Sequence, residues 1–264
     1  MRLNSLAFVF WSVAVGGNLS WADGLIHQLP ADGTWARYDL QMKSTARTEG
    51  RAPRDFELKG SLTVSSVGQV TEEGEKCRWI EVKSEVSPVG QPKDIARILL
   101  KLLIPEKHLR RGEDPLSHVM RMYYSRKGGG GAEVPLERIE DPWRKRYEIE
   151  RFRSVFPRPL EDVKSLGKEP VVTRIGKLDC ETITGRSSLP KSPLREGAEW
   201  AWEGKFQFVL NNAAPFGVVS MRNERTGYET SGGEKRSKTE MDTLTILTIG
   251  EVGDKATSDL SEAR

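Results

Sequence analysis

The chain has 264 residues, of which 37% are hydrophobic and 30% charged, with 25 Gly and 14 Pro. That apolar share, with seven Trp, excludes a wholly disordered chain, and the aperiodic Gly and Pro exclude collagen. Lys plus Arg (41) nearly balances Asp plus Glu (38), so no charge excess points to a nucleic-acid partner.

The N-terminus reads as an export signal. Arg2 precedes an apolar run over 6–17, and the small residues Ser20 and Ala22 stand at −3 and −1 of a predicted cleavage site before Asp23. The run is shorter than the roughly 20 residues of a membrane-spanning helix, and nothing later is apolar enough to span. These features predict a signal peptide over 1–22 and a periplasmic or secreted protein without a transmembrane segment. No Cys follows the small residues, which argues against a lipid anchor of the bacterial lipoprotein kind.

Beyond the signal, apolar residues recur with a period close to two. Tyr38, Leu40 and Met42 alternate with charged and polar residues over 36–44; Phe56, Leu58, Leu62 and Val64 do so over 55–67. Such alternation marks half-buried strands of an antiparallel sheet. Less regular runs follow at 77–86, 96–104 and 118–126. The run at 96–104 also suits a helix, and strand is preferred. Asp141-Pro142 offers an N-cap and a proline at the first helical position, which predicts a helix over 142–156. Shorter helical turns are expected at 106–111 and 160–166. Strands resume at 171–185, 198–210, 216–223 and 238–250, with Trp200, Trp202, Phe206, Phe208 and Leu210 alternating in the second of these. Polar segments bearing Gly or Pro at 45–54, 127–132, 186–197 and 229–237 read as loops. The domain reading is a single unit over 23–250 with a flexible tail over 251–264.

Gly60 and Gly204 interrupt their strands on the apolar face, and the alternation resumes in phase across each. An inserted bulge residue would flip the pattern. An in-phase glycine instead removes a side chain where the sheet bends hardest or where something approaches closely. A strand of 13 residues, about 43 Å long, does not stay flat. The fold class expected is therefore mainly β with a few helices: a strongly curved antiparallel sheet forming a half-barrel, capped by one main helix.

The two cysteines, Cys77 and Cys180, lie in strand-like runs, and an oxidising compartment allows them to pair. Two buried free thiols are the alternative. Catalytic signatures are absent: no G-x-S-x-G, H-E-x-x-H, P-loop or G-x-G-x-x-G occurs. His108 and His118 are ten residues apart, which is not a metal-ligand spacing. The reading is a non-enzyme without cofactor or metal.

The segment Pro215-Phe216-Gly217-Val218, following the Trp200/Trp202 strand, resembles a turn in distant relatives of the LolA/LppX-like group of exported proteins. The order of signal peptide, strands, interposed helix and further strands is similar to that group as well. The resemblance implies an unclosed β-barrel capped by helices and the carriage of lipids or lipoproteins. The function expected is an exported soluble binding protein that holds a lipid or lipoprotein acyl chain in the concave face, lined by Trp200, Trp202, Phe206, Phe208 and Phe216. The alternative is a cell-envelope interaction protein with a filled core, whose partner is an envelope protein.

Overall fold

A computed structural model describes residues 24–251 apart from 49, 92–94, 128–132, 196–197 and 232–233. The segments 1–22 and 251–264, expected from sequence to be an export signal and a flexible tail, lie outside the described residues except for Glu251.

Alternating residues become strands in chain order: β1 (Thr34–Thr48), β2 (Arg54–Glu72), β3 (Glu75–Pro88), β4 (Ala96–Pro105), β5 (Arg121–Lys127) and β6 (Glu133–Arg138). After a helix, α1 (Pro142–Arg151), come β7 (Glu161–Thr173), β8 (Gly176–Arg195), β9 (Ala198–Leu210), β10 (Val218–Ser231) and β11 (Glu234–Glu251). They form one sheet in the order β6-β5-β4-β3-β2-β1-β11-β10-β9-β8-β7. Every pairing is antiparallel. The chain meanders outward from β1 to one edge, crosses to the other edge, and meanders back until β11 pairs with β1. The ends of the sheet, β6 and β7, do not pair with each other. The fold is an open, curved antiparallel sheet with one main helix, and no helix among the described residues is long and apolar enough to cross a membrane.

The crossing segment fills the concave side. Asp141 caps α1 by accepting from the Arg144 amide at 2.6 Å, and Pro142 occupies the first turn. A 3-10 turn, Phe152–Ser154, continues it. The segment is stitched across the sheet strand by strand. Lys145 Nζ donates to the Val119 carbonyl at 2.5 Å just before β5. Asn223 Nδ2 of β10 donates to the Ser154 carbonyl at 2.5 Å, and Ser187 Oγ of β8 donates to the Arg158 carbonyl at 3.1 Å. Leu25 adds a backbone bond to the Val155 carbonyl at 3.2 Å. Ile149, Phe152, Val155 and Phe156 are thereby buried against the sheet.

Gly60 shows how tightly the sheet curls. A Cβ built there would lie 1.8 Å from the Glu85 carbonyl oxygen of β3, so the neighbouring backbone occupies the space a side chain would need. At Gly204 the space is taken by the Phe206 ring edge, 3.0 Å from a built Cβ.

Several local expectations need correction. The segment 186–197 is not a loop: β8 runs on to Arg195. Pairing with β7 reaches only Arg186, so Pro190 and Pro193 lie on a stretch whose outer side lacks β7, where a missing N–H costs no ladder bond. The segment 160–166 is not a helical turn, because β7 begins at Glu161 and pairs with β8. The run 171–185 is two strands, turned tightly between Thr173 and Gly176. The 106–111 turn is present as a 3-10 helix, Glu106–His108. The run 96–104 is a strand, within β4. β4 is buried on both faces from Leu99 to Ile104, which is why it lacks alternation.

Candidate functional site

The concave face has two halves with different packing. Toward one end of the strands, Tyr38, Leu62, Val64, Phe206 and Phe208 are almost wholly buried and meet Leu25, Ile26 and Phe216 in the core. Toward the hairpin joining β1 and β2, the same face borders a cavity of about 680 Å³. The register carries the wall outward: Leu40 stands beside Gly60, Met42 beside Leu58, and Ser44 beside Phe56. Val86 of β3 and Ile98 of β4 extend it on one side, Trp200 and Trp202 of β9 on the other. Tyr147, Phe152 and Val155 of the crossing segment face them. The Tyr147 and Trp200 rings meet edge-on, 6.1 Å between centroids.

The lining sequence explains the void. Ala46, Ser84 and Gly227 interrupt the larger apolar residues of the wall, so the facing surfaces do not meet. The volume lies within the roughly 300–1,000 Å³ of small-molecule pockets. The open end is marked by partly exposed aromatics, with Phe56 37% and Tyr228 40% exposed.

Charge around the cavity is ordered. Trp202 Nε1 donates to Glu150 Oε2 at 3.4 Å, and Arg158 donates to Glu150 Oε1 at 2.8 Å. Arg153, 1% exposed, donates to Asp114 at 2.6 and 3.1 Å and lies 3.6 Å from Glu150. Burial pushes the Asp114 carboxyl up, but the hydrogen bonds and charge of Arg153 more than offset this and hold it below the ordinary carboxylate value. The Arg225 guanidinium lies over the Trp202 ring, 5.7 Å from its centroid.

Of the residues predicted from sequence to line a site, Trp200 and Trp202 border the cavity. Phe206, Phe208 and Phe216 lie deeper, in the filled half of the core. Cys77 and Cys180 are both buried and free, so the disulfide is not formed. They sit on β3 and β8, six places apart in the sheet order. Burial pushes both thiols up from the ordinary value.

His108 and His118, far apart for a sequence motif, come together with Glu113. Their rings are parallel within 4° at a centroid distance of 3.5 Å. A metal must lie near the plane of each imidazole that binds it, and two stacked planes share no such point. As placed, the pair does not chelate one ion. His108 Nδ1 instead lies 2.9 Å from Glu113 Oε2, and that hydrogen bond is the largest influence holding the Glu113 carboxyl low.

Sequence reasoning missed the walls supplied by β1 to β4 and the arginines of 45–54. Met42, Phe56 and Leu58 were legible as inward-facing residues but not as the lining of a void. Arg47, Arg51 and Arg54 crowd one polar hairpin, which was the available signal.

No family model matches the chain, and no curated protein matches it. Among solved structures, the chain is similar to one described as a "putative lipoprotein" from Parabacteroides distasonis. Identity is 9% and the TM-score 0.31, over 86% of this chain and 98% of that one. It is also similar to Ail, the attachment invasion locus protein of Yersinia pestis, at 5% identity and a TM-score of 0.21, over 82% of this chain and all of that one.

Proposed function

We propose that this chain is an exported binding protein, without catalytic activity, that holds an apolar ligand in the concave face of its open sheet. The ligand class is the acyl chain of a lipid or lipoprotein. The observation that carries this reading is the 680 Å³ cavity between β1–β4, β9 and the crossing helix. Its wall is largely aliphatic and aromatic, and transfer of a hydrocarbon chain into it yields about 0.8 kcal/mol per buried CH₂, less the ordering of chain and protein. The resemblance noted at Pro215–Val218 supports the same class, since it implies an unclosed barrel that carries lipids.

The neutral dye N-phenyl-1-naphthylamine tests it, because its fluorescence rises on entry into an apolar site. Saturable enhancement is expected with the intact protein. Leu58→Glu and Phe56→Glu each place a carboxylate in the wall and should weaken the dye by about tenfold or more, with cooperative unfolding retained. Absence of saturable binding, or binding indifferent to both substitutions, would remove the reading.

A second reading has one observation in its favour. Leu166 and Val172 on the edge strand β7 are 61% and 82% exposed, as an edge that docks an envelope neighbour would be. A photo-crosslinker at position 172 that captures one fixed protein in cells would favour it.

A further inference from the structure

We infer that the cavity selects anionic amphiphiles, holding a carboxylate or phosphate head at the arginine-bearing mouth while the chain runs inward. The inference rests on the binding reading above and deepens it by naming the ligand class.

Among the described residues that line the cavity, five are arginines and one, Glu229, is a carboxylate. The cations are not scattered. Arg47, Arg51 and Arg54 belong to the end of β1, the connecting turn and the start of β2, where the wall opens between Phe56 and Tyr228. Arg151 lies on the helix side, and its charge is met by Glu148, 3.2 Å away. Arg225 is only 8% exposed and lies on the cavity wall with its guanidinium over Trp202.

This distribution matches a molecule with one charged end. An alkyl chain needs the Leu58, Val86 and Ile98 walls and nothing polar. A neutral lipid gains nothing from three guanidinium groups at the entrance, and the ester or amide links of a lipoprotein's acyl chains carry no charge. An anionic head gains charge-assisted and bidentate hydrogen bonds, for which the planar guanidinium is suited. Beside an apolar wall the local dielectric is below that of water, so each such contact is stronger than on an open surface.

The experiment displaces bound N-phenyl-1-naphthylamine from the full chain with three compounds of equal acyl length: palmitate, 1-palmitoyl lysophosphatidate and hexadecanol. At least one of the two anions should displace the dye at a concentration about tenfold below that of hexadecanol, as expected for several exposed charge pairs acting together. Which anion is stronger separates a free carboxylate from a phosphate headgroup. In the triple variant Arg47→Gln/Arg51→Gln/Arg54→Gln, the preferred anion and the alcohol should fall within about twofold of each other, the alcohol itself unchanged, since only exposed charges are removed. These arginines are on the surface, so the variant keeps the core intact. Equal displacement by alcohol and anions in the natural protein overturns the inference and leaves the apolar cavity standing. A preference that survives in the triple variant also overturns it, by denying these residues the role. No displacement by any of the three, with no dye bound, overturns the binding reading itself.

Discussion

At the scale of single residues, Gly60 carries more of the shape than any side chain. The Glu85 carbonyl lies where a Cβ would stand, at 1.8 Å, and that oxygen belongs to a paired backbone that cannot rotate away. Adding one methyl group must therefore push β3 off β2. Gly60→Ala should lower stability by about 2–4 kcal/mol, in the range of overpacked cores with backbone displacement, read as a fall in the urea midpoint. Gly204→Ala meets a ring edge at 3.0 Å, which can shift by a few tenths of an ångström, and should lose about 1 kcal/mol or less. If the two variants were equally mild, Gly60 would not be the point at which the sheet curls. The alternation on either side of both glycines was legible in sequence. That their reasons differ was not, because one concerns a neighbouring strand's backbone and the other a ring two residues along the same strand.

At the scale of elements, the crossing segment is held by buried ions as well as by its apolar face. Arg153 binds Asp114, which follows the Glu106–His108 turn, and both side chains are largely buried. Removing one partner of such a pair typically costs about 3–5 kcal/mol, because the other charge is left desolvated. The Asp114 carboxyl is held below its ordinary value by Arg153 against the opposing effect of burial. A depressed native pKa means that the unfolded chain binds the proton first. The stabilisation is therefore full above the unfolded value, about pH 4, and is lost as pH falls through the lower native value. Between neutral pH and pH about 3, Asp114→Asn should lose less stability than the natural protein, though it starts lower. Parallel losses measured by urea unfolding at the two pH values would show that Asp114 has no part in the acid response. Of this segment the sequence displayed the Asp141 cap, Pro142 and the apolar spacing of Ile149, Phe152 and Phe156. It did not display the pairing with Asp114, since residues 39 apart leave no local pattern. The strands show the same division. β9 has the bounds that its alternating aromatics predict, whereas β7 and the far half of β8 were hidden by prolines. Proline reads as a loop in sequence, yet an edge strand tolerates it because no neighbour needs its N–H.

At the scale of the whole molecule, the sheet remains open and depends on the crossing segment to cover its concave side. Edges β6 and β7 are the first and last strands in the order, and the helix between them in sequence is the cap. This arrangement leaves the filled half of the core to resist unfolding and the other half hollow. Cys77 and Cys180 report on that division, because each is fully buried on a different wing of the sheet, on β3 and β8. A thiol reacts as thiolate, and burial both raises its pKa and denies access to reagent. Neither cysteine should react with a disulfide reagent at neutral pH until its wing opens, and both should be titrated in denaturant without reductant. If the two wings unfold as one cooperative unit, the reactivities rise together along a denaturant series and track the loss of tryptophan signal. A reactivity of Cys77 that rises well before that of Cys180 would instead mean that the meander β1–β6 opens independently. The crossing helix would then be a detachable cover rather than the brace that joins the halves.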